Sequence, residues 1–186
     1  MDALRGRYGL KPLGLCNVCD GCGAPFTVAH ALYCKKGGLV SIRHNDARDE
    51  VGALAQHALQ VSKVTYEPMI NNGRGPNDTA QQRRTTGTGN QAGKESRGDV
   101  LVRGLWETGS LCVLDICITD TDAPSYSDKT SKKVLEGHVK RKKDKYLQAC
   151  LDWRRSFTPL VHSVDGMACK EARAFEKRIA SLLSDK

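Results

Sequence analysis

From residue 19 to residue 34 the chain reads CDGCGAPFTVAHALYC, and four of these sixteen side chains, Cys19, Cys22, His30 and Cys34, suit a borderline-soft cation. The two-residue gap lets both thiolates of one tight turn face a single ion. HALYC sets His30 and Cys34 four positions apart, on one face of a helical turn. The spacing predicts a closed, tetrahedral, structural zinc site. Cys16 stands three residues before Cys19, as Cys19 does before Cys22, so a Cys16/Cys19 pair is an alternative. The glycines of CDGCG favour the Cys19/Cys22 knuckle. A third arrangement has zinc on three cysteines and His30 with a spare thiol exchanging.

The other cysteines, Cys112, Cys117, Cys150 and Cys169, are scattered through core-like segments and read as small buried hydrophobes in a reducing compartment. A length of 186 residues suits one full domain plus a small module. The division expected is a leader and zinc module over 1–42 and a larger domain over 43–186. No apolar run approaches the roughly 18 residues needed to span a bilayer, and MDALRGRYGLKPLG lacks the apolar stretch of a secretory signal. No membrane partner is expected, and an intracellular compartment is. Lys and Arg number 29 against 21 Asp and Glu, a net charge of +8 that favours an anionic partner, nucleic acid first.

Val51, Leu54, Ala55, Ala58 and Leu59 recur at helical spacing, predicting a helix from about Asp46. VTYEP (64–68) reads as a short strand. Residues 69–96 have almost no apolar side chains and predict a long mobile loop carrying Arg74, Arg83 and Arg84, of which Arg83 and Arg84 are candidate nucleic-acid contacts. DVLVR (99–103) predicts a strand, and the nearly all-apolar LCVLDICIT (111–119) predicts one buried on both faces. A long basic helix is expected from Lys129 to Arg155, with Leu135, Val139, Lys142, Tyr146, Cys150 and Trp153 along one stripe. FTPLVHSVDG (157–166) predicts another strand and KEARAFEKRIASLLSDK an amphipathic helix turning Ala172, Phe175 and Ile179 inward. Strands before and after a crossover helix define an α/β class with a mixed central sheet flanked by helices.

Asp115 interrupts the apolar run, and Asp99 opens the preceding strand. A carboxylate inside a buried strand is costly unless it meets a cation or hydrogen-bond donors. The bland solution is turn amides for Asp99 and an Arg or Lys for Asp115. The functional solution is that neighbouring strands bring both carboxylates to one hard cation, such as Mg²⁺, which activates water beside a phosphate.

CDGCGAPFTVAHALYC, GGLVSIRHNDARDE, RGDVLV, LDICITD, KRKKDKY and FTPLVHSVDG, in that order, resemble the restriction-like endonuclease domain of the PD-(D/E)XK superfamily. The nearer resemblance is to the C-terminal region of site-specific non-LTR retrotransposon proteins, where a CCHC zinc knuckle precedes such a nuclease. It covers residues 16 to about 180. It implies a divalent-metal-dependent endodeoxyribonuclease acting on double-stranded DNA in the nucleus, with RNA of a parent element as a further partner. Asp99 and Asp115 match the two acidic positions and would hold Mg²⁺ or Mn²⁺. Gly98 replaces the usual proline, which a backbone position is expected to tolerate. Cys117 replaces the lysine expected two residues after the second acid. In the retrotransposon branch that lysine lies on the following helix in a Lys-x-x-Lys-Tyr pattern, matched by Lys142, Lys145 and Tyr146. Arg43 and His44, placed before the first helix, are candidate phosphate contacts, and Glu50 is the acid that some members carry on that helix. The cysteine at 117 sustains an alternative, a catalytically inactive nucleic-acid-binding module with a degenerate nuclease fold. A protein-binding zinc adaptor is a third reading.

Overall fold

The computed structural model describes residues 10, 13–34, 36, 39–60, 64–71 and 96–185. Arg74, Arg83 and Arg84, and the glycine pair at 37 and 38, lie outside the described residues. The chain divides into two compact units, Met1–Ala47 and Arg48–Lys186.

In the first unit, Gly23 adopts φ 72°, a left-handed conformation that glycine takes at no steric cost. Its N–H donates to the Cys19 carbonyl at 2.8 Å, closing the knuckle turn, and Cys19 N–H donates to Ala24 O at 2.8 Å. Helix α1 (Val28–Tyr33) follows at once. Thr27 caps it, its hydroxyl accepting the His30 N–H at 3.0 Å.

Helix α2 spans Leu39–Leu59. The expected start near Asp46 is corrected by seven residues, and Arg43 and His44 lie within the helix, not before it. The extra turns hide no apolar stripe, since Leu39 and Ile42 are 40% and 55% exposed, so no periodicity betrayed them. Only Gly52, Ala55 and Ala58 are buried along it.

The second unit is built on a four-stranded sheet of order β1 (Thr65–Tyr66), β4 (Val100–Arg103), β5 (Leu111–Thr119) and β6 (Arg155–Ser163). β1 and β4 are antiparallel, as are β4 and β5, whereas β5 and β6 are parallel. A parallel pair needs a crossover, here α3 (Ser131–Asp152), capped by Thr130. Pro159 is accommodated because β6 ends the sheet. Helix α4 (Lys170–Ser184) packs on β6 and buries Ala172, Phe175 and Ile179, as its periodicity predicts.

Three expectations need correction. VTYEP is a strand only at Thr65–Tyr66. The segment read as loop from 69 to 96 begins and ends in strand, because β2 (Met69–Asn71) and β3 (Ser96–Arg97) pair antiparallel. Trp153, placed on the buried stripe of α3, is the C-cap beyond that helix and 41% exposed.

Side chains alternate between sheet faces, so Val113, Asp115, Cys117 and Thr119 share one face of β5. Val113 belongs to a buried cluster with Ile70, Tyr146, Cys150 and Phe157, which identifies this face as the one α3 covers. Two strand residues advance about 6.7 Å and four helix residues about 6 Å, so strand and helix can meet in successive rows. Tyr146 clusters with Val113, Lys142 pairs with Asp115, and His138 contacts Cys117 and Thr119.

Candidate metal centre and carboxylate–lysine row

The Sγ atoms of Cys19 and Cys34 are 3.8 Å apart, as are those of Cys22 and Cys34, and Cys22 Sγ lies 3.2 Å from His30 Nε2. All four ligand atoms fall within 4.8 Å of one another. A tetrahedral ion with Zn–S bonds of about 2.3 Å would set its sulfurs about 3.8 Å apart, so these spacings suit zinc. The Cys34 N–H donates to the His30 carbonyl at 2.9 Å, which fixes the fourth ligand just past α1. Phe26 meets the imidazole edge-on, with ring centroids 6.0 Å apart. The Ala24 backbone lowers the Cys22 thiol pKa, but desolvation and the Cys19 and Cys34 thiols outweigh it and raise the net value. Crowded thiols resist joint ionisation unless a cation neutralises them. Cys16 is exposed and outside this group. Arg43 donates to the Leu32 carbonyl at 3.1 Å, satisfying one of the last carbonyls of α1.

In the second unit Asp115 is 3% exposed, and its Oδ2 lies 2.6 Å from Lys142 Nζ. Burial acts to lower the Lys142 pKa, but the charge and hydrogen bond of Asp115 overcome it and hold the ammonium above its ordinary value. The antiparallel β4–β5 ladder ends where Val100 pairs with Leu114, and Asp99 sits at the bend just before it, beside the strand that carries Asp115. Asp99 N–H donates to the Leu114 carbonyl at 3.1 Å, and its Oδ2 accepts the Ile116 N–H at 2.5 Å. Asp99 is therefore tied to the strand that carries Asp115. Lys145 Nζ donates to the Tyr146 hydroxyl at 2.6 Å and sits 4.5 Å from its ring centroid, while Lys142 Nζ is 5.9 Å from that centroid. Asp115, Lys142, Lys145 and Tyr146 thus form one connected group. Glu50 is exposed on α2, and among the described residues no ion pair joins it to that group.

Reading the sequence alone missed His138. Its Nδ1 lies 3.4 Å from Cys117 Sγ, and its Nε2 lies 3.3 Å from Thr119 Oγ1 and 3.1 Å from Tyr126 Oη. Burial first, then the positive charges of Arg141 and Lys142, depress its pKa and keep the imidazole neutral. The available signal was position, since His138 precedes Lys142 by four residues on one helix face. Burial chiefly pushes the Cys117 thiol pKa up; Lys142 and Arg141 pull it down, and Asp115 and Asp99 push it up. Cys117 therefore stands amid the acids and the lysine as a neutral thiol.

Gly98 is more than a tolerated backbone position. A Cβ there would clash with Val113 Cγ1, and its N–H donates to Pro68 O at 3.0 Å. A proline would clash and lose that hydrogen bond.

No protein-family model matches this sequence, and no curated protein matches it. Fold and site define the class on their own. It is a mixed α/β protein with a mixed sheet flanked by helices and an N-terminal Cys₃His group able to hold a metal. Among the described residues no helix is long and apolar enough to cross a membrane.

Proposed function

We propose that this chain is a metal-dependent DNA endonuclease of the PD-(D/E)XK kind, retrotransposon-derived, with a CCHC zinc knuckle at its N-terminus. The observation that carries the reading is Asp99 tied through its carboxylate to the Ile116 N–H, next to Asp115 on the neighbouring strand, with Lys142 reaching Asp115 from the crossover helix. With the β2–β3 ribbon set aside, a helix, three antiparallel sheet strands, a crossover helix and a parallel fourth strand is the order such a core requires, and it supports the reading.

Two carboxylates on adjacent strands are hard oxygen donors, which suits Mg²⁺ or Mn²⁺. Asp99 and Asp115 would hold the ion, which supplies an activated water and stabilises charge on the phosphate. Lys142, freed from Asp115 by that ion, would offer its ammonium to the phosphate, and Lys145 would add a second cation. Tyr146 positions both lysines from the buried side. The zinc module, with Arg43 and His44, and the arginines at 83 and 84 would hold double-stranded DNA, or RNA of a parent element, in the nucleus.

One observation favours a second reading. Cys117 occupies the position where the superfamily carries lysine, and its thiol is neutral. A catalytically inactive nucleic-acid-binding module would keep the basic surface without the chemistry. Supercoiled plasmid with Mg²⁺ or Mn²⁺ separates the two. The nuclease nicks it, and Asp99→Asn and Asp115→Ala lose nicking while keeping DNA binding. No cutting by the unaltered protein, or equal cutting by Asp115→Ala, would leave the binding module.

A further inference from the structure

Tyr126, which touches His138 on one side, lines on the other a groove of about 600 Å³ between the turn at Pro124–Tyr126 and α3. Lys129, Lys133 and Arg141 line it, against one acid, Asp128. Among the described residues none of the three cations forms an ion pair, although Lys129 Nζ lies 5.9 Å from the Tyr126 ring centroid. Lys133, Gly137 and Arg141 recur every four residues and so share one face of α3. Glycine in a helix interior is unfavourable relative to alanine. No packing requirement explains it here, because a Cβ at Gly137 would meet nothing within 4 Å. The missing side chain leaves a trough between two cations, each about 6 Å along the axis.

We propose that this groove binds a backbone phosphate of the nucleic acid, seated over Gly137 between Lys133 and Arg141, with Lys129 closing the far side. The assignment rests on the nucleic-acid reading above and adds a contact point outside the carboxylate–lysine row. The path from groove to row runs through Tyr126, His138 and Cys117, which stands two residues from Asp115. The strand would therefore be held beside the centre rather than only at it. Three cations against one acid around an open trough, without an ion pair among the described residues, suit an anionic group such as a phosphate.

The test measures duplex affinity against salt in an Asp115→Ala background, where cleavage cannot interfere. Lys133→Ala and Arg141→Ala should each flatten the slope of log K against log salt by about one. Gly137→Glu, which has room for its side chain, should weaken binding at least several-fold. Lys177→Ala, an exposed charge on α4 outside the groove, should not share in these losses beyond its own bulk charge. Titration with inorganic phosphate, followed through the Gly137 amide, covers the other source of this chemistry. A response to phosphate with unchanged duplex slopes would assign the groove to a free phosphate and overturn the proposal. Unchanged slopes together with active cleavage by the unaltered protein would remove the groove and leave the nuclease standing. Flattened slopes with no cleavage would do the reverse. Circular dichroism on each variant guards against a folding defect.

Discussion

Lys142 Nζ sits 2.6 Å from Asp115 Oδ2, the one carboxylate inside an otherwise apolar strand. The Asp115 side chain is 4% exposed and that of Lys142 is 27% exposed, so the acid depends on this lysine while the lysine retains a route to water. A buried ion pair is costly to break from one side only.

Lys142→Met should therefore destabilise the second unit by about 3 kcal/mol, because it strands a buried carboxylate. Asp115→Asn should cost less, and the double variant less than Lys142→Met alone, as urea unfolding of the three will show. The folded pKa of Lys142 is raised, so its contribution is present below the unfolded lysine value of about 10.4 and is lost as pH rises through the folded one. The Lys142→Met penalty should stay constant from neutral pH to about pH 9 and shrink above about pH 10.

Zinc content should be about one per chain. Cys22→Ser and His30→Ala should lose it and unfold the N-terminal module, whereas Cys16→Ser should retain it. Elemental analysis of protein purified without chelator decides this, and loss of zinc from Cys16→Ser would restore the Cys16/Cys19 alternative.

Thiol alkylation should rank the cysteines by exposure and pKa. Cys16 is exposed and should react first. Burial raises the Cys112 and Cys117 thiols and pushes Cys150 up to about 12, so these should resist until the protein unfolds. Timed alkylation read by peptide mass spectrometry checks the order; fast labelling of Cys117 would contradict its neutral, half-buried state.

Gly98→Ala should destabilise by about 1–3 kcal/mol, since its methyl would clash with Val113 Cγ1 in a buried site. Gly98→Pro should cost more, by also losing the hydrogen bond to Pro68 O. Adding Val113→Ala should recover part of the Gly98→Ala loss in thermal unfolding. Full tolerance of proline would mean that the strand shifts to admit it.

Much of the fold was legible where hydrophobic pattern and burial coincide. LCVLDICIT became the strand Leu111–Thr119 without change of bounds, and Ala172, Phe175 and Ile179 turned inward as spaced. The start of α2 was not legible, because its first apolar residues face water. Nor was the β2–β3 ribbon, two short strands of mixed polarity lying 25 residues apart. His138 looked like one residue of a basic helix until the sheet beneath it supplied Cys117 and Thr119.

The Cys₃His group was determined by the sequence itself. Its four ligands fall within one tight turn and one turn of helix, so local backbone geometry suffices to converge them. The carboxylate–lysine row belongs to the tertiary structure. Asp99 comes beside the Asp115 strand, and Lys142 meets Asp115, only after β4 and β5 take their register and α3 settles on β5 in one rotational phase. No local spacing encodes that phase. It follows from packing Tyr146 and Cys150 against Val113 and Phe157, which leaves Lys142 above the one strand residue that needs a cation.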